Sequence, residues 1–186
     1  MESEDLEKRA KLDAFLAGRE GRLYRMAVLA TGNRDEALDL VQEAMYKLVR
    51  HYAHRPESEW APLLYRILQT TIRDWYRRQR VRRGVLRWWV RPRAQEREAA
   101  LEDLPAPDGH GPEQRVADVQ LAERLDQALG LLPLRQQQVF LLRAWEGLSV
   151  AETARAMGCG EGSVKTHYSR AVHRLRELMN ETEDEV

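Results

Sequence analysis

The chain has a single cysteine, Cys159, in 186 residues. An internal disulfide is therefore excluded, and so is a zinc site built on several cysteines. No apolar run approaches the roughly 20 residues that a membrane-spanning helix needs. The opening MESEDLEKR is acidic and polar, unlike a secretory leader. Both absences predict a cytoplasmic protein with no membrane insertion. Neither charge is in excess, because 30 basic and 30 acidic residues cancel, so the total says nothing about nucleic acid. No metal-ligand cluster, phosphate loop or paired carboxylates at convincing spacing is present. That predicts no metal, no cofactor and no enzymatic activity.

What is present is segregated charge on a helical pattern. Arg73 to Arg93 holds nine arginines and one acid, whereas Ala94 to Glu113 holds six acids and one base. Such segregation suggests surfaces for different partners, with a solvated charge run as the plain alternative. Valine and isoleucine show no sustained period-2 alternation, so the expected fold is all-α. Helices are expected over Leu6–Ala17 and Gly21–Thr31, and then from an Asn33 cap, with Glu36 reciprocating, to about His51. A fourth helix, with Pro62 in its first turn, runs to about Arg80. Its core residues are expected to be Leu64, Leu68, Thr71 and Trp75, with Arg66, Gln69, Arg73, Tyr76, Arg77 and Arg80 outward. Gly84 to Val116, rich in proline and glycine in its second half, reads as a linker. Trp88 and Trp89 within it dock back, touch a partner or extend the fourth helix; the sequence does not choose.

The most informative stretch runs from Ser149 to Leu178. Ser149 and Glu152 form a capping-box pattern. Ala154 and Met157 continue an apolar stripe from Val150, and Gly158 supplies the positive φ that ends a helix. Val164, Tyr168, Ala171 and Leu175 then recur at helical spacing, with Lys165, Thr166, Ser169, Arg170 and Arg174 on the other side. This is the pattern of a helix-turn-helix whose second helix faces DNA. An ordinary helical hairpin with a solvated basic face is the plain alternative.

Three segments in order resemble the extracytoplasmic-function (group 4) sigma factors of the sigma-70 family. TGNRDEALDLVQEAMYKLVRHY is similar to regions 2.1–2.2, LLYRILQTTIRDWYRRQR to regions 2.3–2.4, and LPLRQQQVFLLRAWEGLSVAETARAMGCGEGSVKTHYSRAVHRLREL to region 4. The resemblance implies two small helical domains: a four-helix region 2 domain over residues 1–83 and a region 4 helix-turn-helix domain over 118–180. A linker spans 84–117 and an acidic tail 181–186. It implies an alternative-sigma transcription initiation factor that binds core RNA polymerase through the β′ clamp and the β subunit and directs it to promoters. Asp39, Gln42 and Glu43 would meet polymerase. Arg66, Arg73, Tyr76, Arg77 and Arg80 would meet the −10 element, with Tyr65 and Trp75 as further aromatics for stacking. Ser163, Lys165, Thr166, Ser169, Arg170 and Arg174 would meet the −35 element. The linker would thread toward the RNA exit path. An anti-sigma factor covering both domains is a further implied partner. The chain departs from the family pattern at Thr70, Leu63 and Gly160, where asparagine, tryptophan and serine are usual. The rival reading is a stand-alone helix-turn-helix regulator that binds operators without polymerase.

Overall fold

The computed structural model describes residues 2–82 and 112–181, with side-chain surroundings for 6–79 and 120–180. The described residues form helices and short turns with no strand. Four helices make the first module: α1 (Glu2–Ala17), α2 (Glu20–Thr31), α3 (Arg34–Tyr52) and α4 (Glu57–Arg82). The second module has α5 (Pro112–Leu131), α6 (Leu134–Phe140), a π-helical turn (Leu141–Trp145), α7 (Val150–Met157) and α8 (Glu161–Glu181). The segment holding Trp88, Trp89 and most of the acidic run lies outside the described residues.

In the first module α2, α3 and α4 pack on one another. Gly32 takes φ 67° and lets α2 end in a left-handed cap. Asn33 then accepts from the Glu36 amide at 3.0 Å and starts α3. The reciprocal half of the expected capping box does not form. The Glu36 carboxylate accepts from Trp75 Nε1 at 2.6 Å and Gln79 Nε2 at 3.3 Å instead, because a buried indole N–H needs an acceptor. Ala37, Leu40, Val41, Ala44 and Leu48 form the buried stripe of α3.

The fourth helix begins at Glu57, so Pro62 lies beyond the first turn in which it was expected. Trp60 is the cause, since it is fully buried and meets Phe15 edge to face at 5.5 Å. Burying that ring draws the first turn onto the core. Pro62 forfeits only the bond to the Ser58 carbonyl, and Ser58 is exposed, so water can satisfy that group. Leu64, Leu68, Thr71 and Trp75 face the core as expected, and Ile72 joins them. Gln69 and Tyr65 are buried too, against the expected outward and base-stacking placements. Both meet the second module, a contact no local pattern encodes.

In the second module Ser149 and Glu152 complete a reciprocal capping box at 3.2 and 2.8 Å. Gly158 has φ 62°, as the turn requires. Gly160 caps α8 with its carbonyl alone, accepting from Ser163 and Val164 amides. Val164, Ala171 and Leu175 are buried, and Tyr168 stacks on Phe140 at 6.0 Å.

Candidate nucleic-acid interface

The outer face of α8 assembles all the −35 candidates. Ser163, Lys165, Thr166, Ser169, Arg170 and Arg174 are exposed on it. The cause is simple: α6, α7 and α5 pack on the opposite, apolar side of the helix. Thr166 Oγ1 donates to the Gly162 carbonyl at 2.9 Å, which leaves the exposed hydroxyl its acceptor lone pairs. Arg174 pairs with Glu177 at 2.9 Å, a surface contact that phosphate can displace. His167, given no special role by its sequence context, lies beside this face. Burial, then the Arg135 and Arg170 guanidiniums, hold its pKa below the usual histidine value.

The α4 face is more divided. Arg66 and Arg77 are exposed, and Arg77 pairs with Asp74 at 3.2 Å. Tyr76 exposes ring surface while its hydroxyl donates to the Ala30 carbonyl at 2.5 Å. Arg73 is half-buried rather than free. Its Nε donates to the Gln69 carbonyl at 3.2 Å and an Nη to Thr70 Oγ1 at 3.1 Å, and its guanidinium lies against Gly158 in the helix-turn-helix. The Arg80 side chain lies outside the described residues. Tyr65 and Trp75 cannot stack on bases as placed. The Tyr65 hydroxyl donates to Glu146, and burial with that contact drives its pKa upward.

A third surface lies along α3. Asp39 and Gln42 are exposed, whereas Glu43 is half-buried and paired with Lys47 at 2.6 Å. Leu38, Tyr46 and Val49 share exposure with them at 43, 59 and 43 %. Leu38 and Val49 are missed by a search for polar rows. They flank Gln42 and Tyr46 at helical spacing, at the edge of the face opposite Ala37, Leu40, Val41, Ala44 and Leu48, while Met45, expected in the buried stripe, is partly buried against the core. A patch mixing aliphatic and aromatic surface with carboxylates suits a protein partner better than DNA. Among the described residues no group of histidine, cysteine and carboxylate side chains could hold a metal ion. No described helix is long and apolar enough to cross a membrane.

Comparison with known proteins divides the chain as the geometry does. The family model for Sigma-70 region 2 matches residues 16–82 and that for Sigma-70, region 4 matches residues 122–175. The RNA polymerase sigma-E factor of Streptomyces avermitilis is 32% identical over 167 residues, covering 90% of this chain and 84% of that protein. The chain belongs to the sigma-70 family. SigV of Bacillus subtilis is 31% identical over 157 residues, with 82% of this chain and 81% of that protein covered. The ECF RNA polymerase sigma factor SigE of Mycolicibacterium smegmatis is 29% identical over 90% of this chain, which spans 61% of that relative's length. Among solved structures, the sigma factor RpoE of Bartonella quintana, in complex with the anti-sigma factor NepR, superposes with a TM-score of 0.61. At 22% identity, over 92% of this chain and 96% of that one, the likeness shows the fold. These relatives place the chain among the extracytoplasmic-function sigma factors, as an alternative sigma factor for transcription initiation, and the stand-alone regulator is not favoured.

Proposed function

We propose that this chain is a non-enzymatic, cytoplasmic group 4 sigma factor that works by a division of labour among its three exposed faces. Residues 1–83 form the region 2 domain, 84–117 the linker, 118–180 the region 4 domain and 181–186 an acidic tail. The α3 face docks on the β′ clamp of core RNA polymerase. Asp39 and Gln42 supply polar pairing, Glu43 joins them by exchanging Lys47 for a partner cation, and Leu38, Tyr46 and Val49 supply the apolar area. The α8 face enters the major groove at the −35 element. Lys165 and Arg170 are suited to guanine edges, Thr166 and Ser169 to either base type, and Ser163 and Arg174 to phosphate.

The α4 face handles the −10 element. Arg66, Arg73, Arg77 and Arg80 neutralise phosphates, and Tyr76 offers a ring to an extruded base, worth about 1–3 kcal/mol per stacked base. The observation that supports this reading most is the union of two family matches with a recognition helix whose six candidate side chains all face solvent. An anti-sigma factor that covers both modules fits as a regulatory partner.

The experiment is reconstitution. Purified chain, core polymerase and a promoter library are combined, and the transcripts are sequenced. Promoter-specific initiation that depends on this chain is the expected result. Operator binding without polymerase association would return the reading to a stand-alone regulator.

A further inference from the structure

The segment that leads into the helix-turn-helix is closed by its own backbone. The Glu146 amide bonds to the Leu141 carbonyl at 3.0 Å and the Leu148 amide to the Leu142 carbonyl at 3.0 Å, around Gly147 at φ 67°. A left-handed glycine followed by such a closing bond is a common way to end a helix. The closure brings the Leu148 carbonyl to Arg143 in the π-helical turn, and Arg143 Nη1 donates to it. Leu148 directly precedes Ser149, the cap of α7. Arg143 thus fixes where the first helix of the pair begins.

The same guanidinium reaches the second helix of the pair. Its Cζ lies 5.7 Å from the centroid of the Tyr168 ring, a cation–π distance. Phe140, three residues before Arg143, stacks on that ring at 6.0 Å with 15° between the planes. Two side chains therefore hold Tyr168, and one of them also holds the start of α7.

Tyr168 belongs to α8, and its neighbours along that helix are the side chains assigned to bases. Lys165 stands one turn before it and Ser169 directly after it, both exposed. A helix tilts as a rigid piece, so a shift at Tyr168 carries both with it. Productive contacts need their groups held to within about 0.5 Å, and base edges distinguish partners by hydrogen-bond geometry.

We propose that Arg143 is a positioning residue for duplex recognition. Through the Leu148 carbonyl and the Tyr168 ring it sets the angle at which α8 is presented, and so decides which base edges Lys165, Ser169 and Arg170 reach. This role rests on α8 being the duplex-reading helix, as proposed above. Arg143 keeps further N–H groups, so direct contact with a phosphate is the competing role. The two differ in their effect on specificity and on salt dependence.

The test uses the full chain and two duplexes, one selected by wild type from a randomised pool and the other its scrambled counterpart. The reading is the ratio of their dissociation constants. Partial unfolding scales both affinities by the same competent fraction and cancels from that ratio, so a purely stabilising role for Arg143 leaves it untouched. Arg143→Met is expected to lower the ratio by at least about tenfold, the share of one well-placed base contact, with the salt slope unchanged. Tyr168→Leu should do the same without altering charge, whereas Tyr168→Phe, which keeps the ring, should hold the wild-type ratio. Arg143→Met combined with Tyr168→Leu should lose no more than the larger single loss, because both act through one contact. A phosphate ligand behaves otherwise: Arg143→Met would flatten the slope of log affinity against log salt by about 0.9 and spare the ratio, and that result overturns the proposal. An unchanged ratio in a folded Arg143→Met chain, checked by circular dichroism, also overturns it. If that variant does not fold, Arg143→Lys is read in its place, since lysine keeps the charge and a donor but loses the flat group on the ring. A pool that yields no preferred duplex overturns the reading role of α8, and the positioning role with it. Clear preference in wild type beside an unchanged ratio in the variants overturns the role of Arg143 alone.

Discussion

Helices α4 and α8 both carry arginines on exposed turns, yet they stand in different circumstances. Among the described residues nothing packs on the outer face of α8, and its apolar face is covered by α5, α6 and α7 of its own module. The α4 helix spends one side on its own core and another on the second module, leaving Arg66, Tyr76 and Arg77 outward. A duplex reader needs only to present a rigid helix to a groove. A single-strand reader presents aromatic and cationic surface that is reactive toward any unpaired nucleic acid.

The largest expected effect breaks the α8 side. Lys165→Ala with Arg170→Ala removes two side chains suited to base edges, each worth about 1–3 kcal/mol of discrimination. Binding to a −35 duplex should fall by roughly a hundredfold, in line with losing about 1.4 kcal/mol per side chain. Association with core polymerase, measured by gel filtration, should survive. Equal loss of both would mean that α8 supports the fold or the polymerase contact rather than the promoter.

The next effect sits where the two helices meet. Gly158→Ala forces a side chain into the left-handed region, costing about 1–2 kcal/mol, and its Cβ crowds Arg73 at 3.2 Å. The melting temperature of the second module should drop by several degrees. Gly158→Asn should lose less, since asparagine tolerates that conformation. Equal losses in the two variants would make crowding against Arg73, not backbone strain, the larger cost.

How much of this was legible in the sequence follows the same division. The α8 face was readable because every residue that orders it lies within its own module: the Ser149–Glu152 box, the Gly158 turn and the Val164–Leu175 stripe are local signals. The α4 face was readable only in part. Leu64, Leu68 and Trp75 follow the period, but Gln69 and Tyr65 are buried by partners 69 and 81 residues away. An amide inside a helix carries no mark of a distant partner, so periodicity placed Gln69 outward. Pro62 misled for a related reason: a proline is best tolerated in the first turn, and the burial of Trp60 against Phe15 outweighed that preference. The apolar members of the α3 face, Leu38 and Val49, escaped because a row of acids and amides drew the polymerase assignment to itself.

A smaller effect tests the local half of that contrast. Ser149→Ala removes one side of the capping box and should cost about 1 kcal/mol of second-module stability. The Glu152 carboxylate is held below its usual pKa by the Ser149 hydrogen bonds. Its contribution is therefore fully present above pH 4.5 and fades as the pH falls through the lower folded value. In the Ser149→Ala variant this acid-side slope should flatten in thermal melts taken on the two sides of pH 4.5.

The smallest effect concerns His167, on the border of the α8 face. Burial comes first, then Arg135 and Arg170, in lowering its pKa from 6.5. The folded chain thus binds a proton there less readily than the unfolded chain. Stability rises with pH wherever the unfolded state holds more protons, so the second module should be steady above pH 6.5 and lose stability as the pH drops below it. His167→Gln removes the titration and should level the melting temperature across that range. DNA runs the other way. A phosphate beside Arg170 favours the charged imidazole, so duplex binding should strengthen slightly on mild acidification in wild type and not in His167→Gln. A histidine facing away from the groove would show the stability slope without the binding slope, and that pair of measurements decides whether the imidazole belongs to the reading face or only to the packing beneath it.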